Sequence, residues 1–293
     1  MAYANLMLGG LFQAAVLFLV ASGLQLVFGV QKIINLACGS FYALGAYFGI
    51  TVMVYFLQSG WPIWMFLPIL IGAGAVIGLI GVPLELLLRP VYRRNESYQL
   101  LLTFGLLLMF QDVFRYFWGS VPLSVDSRLY GAYGTIQGMG LHVPVYNILV
   151  ILSSILIAAA LGLGLSRTRI GRIVRATAEN RNMAEAIGVN SATIFTIVFT
   201  LGCVLGTIGG ALVIPTSAAS LTMAAELVVE AFAVVVIGGL GSMRGALVGA
   251  IIVGLLRSVA VALFPETEIL AIYLVVVAVL LFRPAGLFGK SAA

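Results

Sequence analysis

The sequence predicts an all-α membrane protein, a polytopic helix bundle of about nine transmembrane spans. Three observations carry this reading. The 293 residues are 62% hydrophobic and only 9% charged, against about 25% charged in a soluble domain, and mean hydropathy is +1.17. The apolar stretches are continuous runs suited to helices of ~20 residues across a ~30 Å hydrocarbon core. They do not alternate with the period of two that marks a membrane barrel. Thirty-four glycines fit helices that approach one another closely inside a bundle.

The candidate spans are 6–30, 36–57, 62–88, 98–118, 144–165, 191–213, 225–240, 246–264 and 268–283. The first is read as a retained span, because MAYANLMLGG lacks the basic segment that opens a cleavable signal peptide. The spans at 225–240 and 268–283 are short for the core thickness. Neighbouring Gly-rich or Pro-containing backbone, buried in the bundle, is expected to extend them. Positive charge sets the orientation. With Arg89, Arg93 and Arg94 cytoplasmic, alternation places Lys32, Ser166–Asn190, Arg244, Arg283 and Lys290 on the same side. Arg128 alone falls in an outside loop, and Arg115 and Arg257 lie within or at the ends of spans. The N-terminus is therefore expected outside and the C-terminus in the cytoplasm.

An internal duplication runs through a single transmembrane domain of residues 1–293. Halves at about 6–118 and 191–283 are joined by the span 144–165 and the loop 166–190. In GLQLVFGVQKIINLACGSFYALGAYFG, from Gly23, a glycine-containing helix ends in a polar break and a second helix starts at once. GGALVIPTSAASLTMAAELVVEAFAVVVIGG, from Gly209, repeats that pattern. An odd number of spans separates the units, so they are inverted with respect to each other. Inverted repeats with broken helices place a permeation route at the repeat interface.

The loop Ser166–Asn190 holds five of the fifteen basic residues in a chain otherwise poor in charge, so it lies outside the hydrocarbon. Arg172–Gly188 reads as one helix. Ala176, Met183, Ala184 and Ile187 have spacings compatible with one face, Arg175 and Glu179 form an i,i+4 pair, and Gly188 is a C-terminal stop. A small, smooth face with a charged flank suits docking into a groove on another protein. A helix lying on the membrane is the other reading, but this apolar face is too small and alanine-rich to bind an interface strongly.

Other chemistry is excluded by composition. His142 is alone and Cys38 and Cys203 are the only cysteines, so neither a histidine metal cluster nor a disulfide scaffold is expected. No Ser/His/Asp or Cys/His constellation exists, which excludes an enzyme. Gly238–Gly245 lacks the Gly-Lys-Ser/Thr ending of a phosphate loop and reads as a tight inter-helix turn, so the chain is expected to bind no nucleotide. Basic residues confined to short loops exclude nucleic acid. At the first break, Asn35 either satisfies freed backbone groups or meets a polar solute, with Gly39 and Tyr42 on the helix that follows. Glu85–Arg89 and Asp112–Arg115 are spaced to pair within one helix. Glu226 and Glu230 share a face at the outer start of a span. Arg257 lies deep in a span and calls for a salt bridge whose partner the sequence does not identify.

The sequence resembles the membrane permease subunits of bacterial ABC importers for branched-chain amino acids, the LivH-type family of hydrophobic amino acid uptake systems. The stretches that carry the likeness are Ile34–Tyr47, Arg89-Pro90-Val91, Thr168–Asn190, Val236–Ser242, Gly245–Ala250 and Arg283–Gly289, in family order over nearly the whole chain. The resemblance implies a multi-pass protein of the bacterial inner membrane with the inverted repeats of the second importer type. It implies a second, homologous permease subunit, two cytoplasmic ATPase subunits that carry ATP and Mg, and a periplasmic substrate-binding protein. Under it, Arg172, Arg175, Ala176, Glu179, Asn180, Ala184, Ile187 and Gly188 are the ATPase-coupling residues. From the helix breaks and the charges near spans, Asn35, Gly39, Tyr42, Glu226, Glu230 and Arg257 are the candidates for the translocation pathway. The chain departs from the coupling loop of the other importer type: Ala184–Gly188 matches only part of its glutamate-alanine-alanine motif. The family's solutes include branched-chain and other amino acids, amides, urea and small organic acids. A stand-alone secondary transporter of small solutes is the alternative, since inverted repeats and few charges also suit one.

Overall fold

Hydrocarbon offers the backbone no hydrogen bonds, so each span must satisfy its own amides, and the chain does so with helices. A computed structural model describes residues 2–33, 35–93, 96–124, 133–138, 141–264, 267–283 and 285–289. Arg94, Arg128 and Lys290, which entered the charge argument, lie outside these residues.

Helix α1 (Ala2–Gln31) ends where Lys32 takes a positive φ of 58°, a conformation uncommon for any residue but glycine. Asn35 Oδ1 then accepts from the Ala37 amide at 3.0 Å and leads into α2 (Cys38–Ser59), which stops at left-handed Gly60. A 3-10 turn at Ile63–Met65 opens α3 (Phe66–Gly78), followed after a two-residue turn by α4 (Gly81–Leu88). The interruption has a chemical cause. Pro83 has no N–H for the Leu79 carbonyl and its ring crowds it. Helix α5 (Glu96–Trp118) ends at Gly119, with φ of 88°.

Strands β1 (Thr135–Gly138) and β2 (Leu141–Pro144) form an antiparallel hairpin, a small addition to the all-α expectation. Then come α6 (Val145–Arg167), α7 (Arg169–Glu179), α8 (Arg181–Ala186), α9 (Ser191–Val213), α10 (Met223–Gly238), α11 (Met243–Leu263) and α12 (Glu268–Phe282).

Among the described residues, seven segments are long and apolar enough to cross a membrane: most of α1, then α2, α3–α4 as Ile63–Val91, α5, α6, α9 and α11. The other two expected spans, 225–240 and 268–283, are present as the shorter helices α10 and α12. Helix α10 has 16 residues and α12 has 15, short of the ~20 that a bilayer requires. Gly239, at φ 96°, stops α10 early, and Glu226 and Glu230 stand in its first half.

Helix α9 is the centre of the bundle, packed by α1, α2, α3 and α4. Side-chain-free backbone sets the spacing. A Cβ at Gly23 on α1 would lie 2.7 Å from the Gly202 carbonyl oxygen, and one at Gly74 on α3 would lie 2.9 Å from Ile208 Cα. At Gly45 and Gly210, where α2 crosses α9, a Cβ would overlap the backbone of Thr207 and Tyr42 respectively. The Thr207 hydroxyl donates to the Gly74 carbonyl at 2.7 Å, fixing α3 at the same level. The other pairings come in matched sets: α1 lies on α11 as α9 lies on α3, and α2 meets α3 as α10 meets α11. By contrast α6 buries only Tyr146, Val150 and Ser154 and reaches the bundle through α1.

The two ends of the bundle are tied differently. At one end Tyr146 donates to the Leu212 carbonyl at 2.7 Å. Tyr133 donates to Ile63 O at 2.7 Å, and burial raises its phenol pKa above the ordinary value. At the other end, Gln25, buried in α1, clamps the Gly-rich turn after α10. Its Nε2 donates to Gly239 O at 3.0 Å and its Oε1 accepts from the Gly241 amide. Residues 285–289 return to the same turn, where the Leu287 and Phe288 amides donate to Ile237 O and Gly238 O at 2.9 and 3.0 Å.

A methyl-bearing side chain cannot fit where α2 crosses α9. Gly45→Val is expected to cost at least the about 1–3 kcal/mol of an overpacked core and to leave little monodisperse protein after mild detergent extraction. Gly162→Ala, at a position with nothing within 4 Å of the added carbon, should match the parent in thermal midpoint. A Gly45→Val protein as stable as the parent would refute the crossing.

Candidate coupling site and outer pocket

The segment between α6 and α9 folds as two short helices at a sharp corner. Thr168 makes the first turn: its hydroxyl donates to Gly164 O at 2.6 Å and accepts from the Gly171 amide at 3.0 Å, capping α7. Asn180, in extended conformation, breaks the single helix expected over Arg172–Gly188 and caps α8 by accepting from Met183 N at 3.0 Å. Asparagine competes for backbone amides in this way, which favours caps over helix interiors. Gly188, at φ 89°, ends α8, and Asn190 caps α9 through the Thr193 amide at 3.3 Å.

The break redistributes the predicted face. Gly171, Val174 and Thr177 point inward from α7, and Ala184 points inward from α8 with 2% of its surface exposed. Ala184 is therefore a packing residue within this chain and offers nothing to a partner, contrary to the expectation. Arg172, Ala176, Glu179, Asn180, Ile187 and Gly188 are exposed as expected. Ile187 is 74% exposed and Met183 64%, with Ile170 also on the surface. The expected Arg175–Glu179 pair does not form. Arg175 donates to Ser166 O at 3.2 Å, and the i,i+4 pair on this segment is Arg181–Glu185 at 2.9 Å.

This segment is wired to the membrane helices. The Arg181 guanidinium lies 4.9 Å from the centroid of the Phe195 ring on α9. One turn from there, Arg89 at the end of α4 donates through Nη2 to Thr196 Oγ1 at 2.6 Å and to Ala192 O at 3.4 Å. Arg89 also pairs with the fully buried Glu85 at 3.1 Å, and Thr196 donates to the same carboxylate at 2.7 Å. The predicted Glu85–Arg89 pair is thus present, but it spans two helices through Thr196, a residue sequence reasoning did not single out. A threonine facing an i,i+4 ion pair from another helix leaves no pattern in the sequence. Gln25 was also passed over, although a lone glutamine inside an apolar span is a signal that a buried polar partner exists.

At the opposite end, Glu226, Glu230 and Arg257 converge. Arg257 Nη1 donates to Glu230 Oε2 at 2.9 Å, supplying the partner the sequence could not identify. Together with Glu226, Val229, Ile272 and Tyr273 they line an open pocket of about 480 Å³. The other predicted pathway residues do not line this pocket, although Tyr42 lies close enough to feel the charges of Glu230, Arg257 and Glu226. Asn35 is buried at the α1–α2 break and occupied in turn formation. Gly39 faces the backbone of Ala224 on α10, and Tyr42 is packed against Gly210. The pocket combines a cation, two carboxylates and apolar walls. It is suited chemically to a small zwitterion with an aliphatic group.

Comparison with known proteins gives a consistent picture. Residues 6–282 match the family described as branched-chain amino acid transport system, permease component. The chain is 27% identical to the high-affinity branched-chain amino acid transport system permease protein BraD of Pseudomonas aeruginosa, covering 98% of this chain and 96% of that protein. It is 24% identical to the permease protein LivH of Escherichia coli K12, over 97% and 94% of the two chains. A probable branched-chain amino acid transport permease protein LivH of Methanocaldococcus jannaschii is 28% identical, over 85% and 78%.

Removing Glu85 would leave Arg89 and Thr196 without their buried acceptor. Breaking one side of such a pair costs about 3–5 kcal/mol when fully buried. Glu85→Ala should therefore lower the thermal midpoint of the purified protein clearly. Asp112→Ala, which breaks the exposed Asp112–Arg115 contact, should change stability by less than about 1 kcal/mol. Equal shifts for the two variants would show that the Glu85 cluster holds nothing together.

Proposed function

Because this chain belongs to the branched-chain amino acid transport system permease family, we propose that it is the membrane-spanning subunit of a bacterial ABC importer. In this reading it carries a branched-chain amino acid, or a related small solute, inward across the inner membrane. ATP is hydrolysed on partner subunits and this chain holds no cofactor. The observation that carries the reading is the α7–α8 corner, which presents Ile170, Met183 and Ile187 to solvent while its inner face is locked to α9. Exposed apolar side chains on a rigid helical corner outside the spans are suited to a groove on another protein.

The partners that complete the machine are two cytoplasmic ATPases, a second homologous permease and a periplasmic binding protein. Arg172, Ala176, Glu179, Asn180, Ile187 and Gly188, with Met183, belong to the ATPase-facing surface, on the cytoplasmic side with the C-terminus, while Arg175 turns away from it toward Ser166 O. The matched helix pairings support the inverted halves 6–118 and 191–283. Glu226, Glu230 and Arg257 form the outer mouth of the pathway, where a zwitterionic solute released by the binding protein meets opposite charges. Asn35, Gly39 and Tyr42 shape the helix break beside that route.

The family's solute would accumulate in membrane vesicles holding the whole complex when ATP is supplied with no ion gradient. Full uptake from a proton or sodium gradient alone, with no ATPase present, would favour the stand-alone transporter and sink this proposal. On the docking surface, Met183→Asp with Ile187→Asp should leave the permease at its normal membrane level and abolish most ATPase co-purification. Complex yield and uptake at parental levels in that variant would show that α8 does not meet the ATPase.

A further inference from the structure

The second large opening that carries charge lies beside α6, far from the pocket at Glu230. It is a groove of about 640 Å³ bounded by α1, α6, α7 and α11. Phe18, Val30, Leu165 and Leu247 are among the side chains of its wall. Phe18 and Val30 alone span about 18 Å along α1 at the rise of a helix, the length of an extended acyl chain segment. At one end stand Arg175, from the first turn outside the span, and Arg244, from the start of α11. Among the described residues, no acidic side chain lines the groove. Neither arginine has a carboxylate partner among the described residues.

We propose that this groove is a binding site for one anionic phospholipid, its phosphate between Arg175 and Arg244 and its acyl chains along α1. The location selects the ligand. Helix α6 buries so little of itself that the groove beside it opens toward the bilayer, and the two arginines sit where the span ends and the headgroups begin. Basic pockets between membrane helices at this level hold anionic headgroups. Arg175 is already anchored through Nη2 to Ser166 O at 3.2 Å, which holds the guanidinium across the α6–α7 corner. A guanidinium has five N–H donors in a fixed fork, so that anchor leaves others for phosphate. A soluble anion would use the two cations but not the apolar wall. A zwitterionic lipid would fill the wall but bring its own ammonium to a site with no carboxylate. The bound lipid would tie α7 to α11, two elements that share no side-chain bond among those described, and so brace the corner against the bundle.

The test uses the purified full chain in detergent, titrated with dioleoyl phosphatidylglycerol or dioleoyl phosphatidylcholine and read by native mass spectrometry. Phosphatidylglycerol should be retained at least about tenfold more strongly than phosphatidylcholine. Arg175→Gln with Arg244→Gln should lower its affinity about 30-fold, the equivalent of about 1 kcal/mol for each arginine at a membrane surface. Arg115→Gln, at a different site, should change nothing. Equal retention of the two lipids, or phosphatidylglycerol binding untouched by the double substitution, would overturn the proposal. Displacement by millimolar inorganic phosphate, with no dependence on the acyl chains, would also overturn it, showing an anion site without a lipid. A second measurement locates the chains without altering the arginines. Leu247→Trp should show quenching by brominated-chain phosphatidylglycerol beyond that of the parent, and no added quenching would place the lipid elsewhere.

Discussion

The backbone contact between α9 and its neighbours is the constraint on which the rest depends. Lipid tails are as apolar as leucine, so burial of apolar side chains gives membrane helices little reason to associate, and close van der Waals packing has to supply it. At Gly23, Gly45, Gly74 and Gly210 the neighbouring helices come so near that only hydrogen fits between them. That closeness brings the Thr207 hydroxyl onto Gly74 O and sets α3 at a defined height. With α9 fixed, its N-terminal end carries α8 at one face of the bundle. Its C-terminal end leads through the 214–222 break to α10 and the acidic pair at the other face. Both candidate sites are therefore hung on the same helix.

This arrangement gives the molecule a direct mechanical line. Helix α8 is held to α9 by Arg181 over Phe195, and α9 is held to α4 by the Glu85–Arg89–Thr196 cluster. A carboxylate with no exposure is costly to place unless its partners are satisfied. Such a cluster favours one relative position of its helices over intermediate ones. On the proposed function, movement imposed on the α7–α8 corner would reach two spans together, and through the glycine contacts α1 and α2. Packed interfaces of this type shift between discrete arrangements more readily than they deform.

How much could be read from the sequence follows from the range of the interactions. Long apolar runs report spans directly, so α1, α2, α5, α6, α9 and α11 were legible, with boundaries within a few residues. Pairs at i,i+4 and i,i+3 are local, so Glu85–Arg89 and Asp112–Arg115 were legible too. The failures were non-local or conformational. The Arg257–Glu230 bond joins two helices, and no rule of spacing links their sequences. Asn180 sits in a run of good helix formers, yet its side chain can bond to the backbone and turn one helix into two. That single residue reversed the role of Ala184 from docking surface to packing. The early stop of α10 was not legible either, because hydropathy registers composition, whereas a glycine at φ 96° decides where that helix ends.

The return of residues 285–289 to the turn after α10 has a consequence for the order of events during synthesis. Until those residues emerge from the ribosome, the Ile237 and Gly238 carbonyls lack the amides of Leu287 and Phe288, and Gly239 lacks the cover of Gly286. Gln25, contributed by the first helix to be made, holds one side of this turn long before the other side arrives. The knot of earliest and latest segments thus acts as a completion seal. A nascent permease truncated after α12 would present an open backbone seam to the quality-control proteases of the membrane, while every transmembrane segment was already in place.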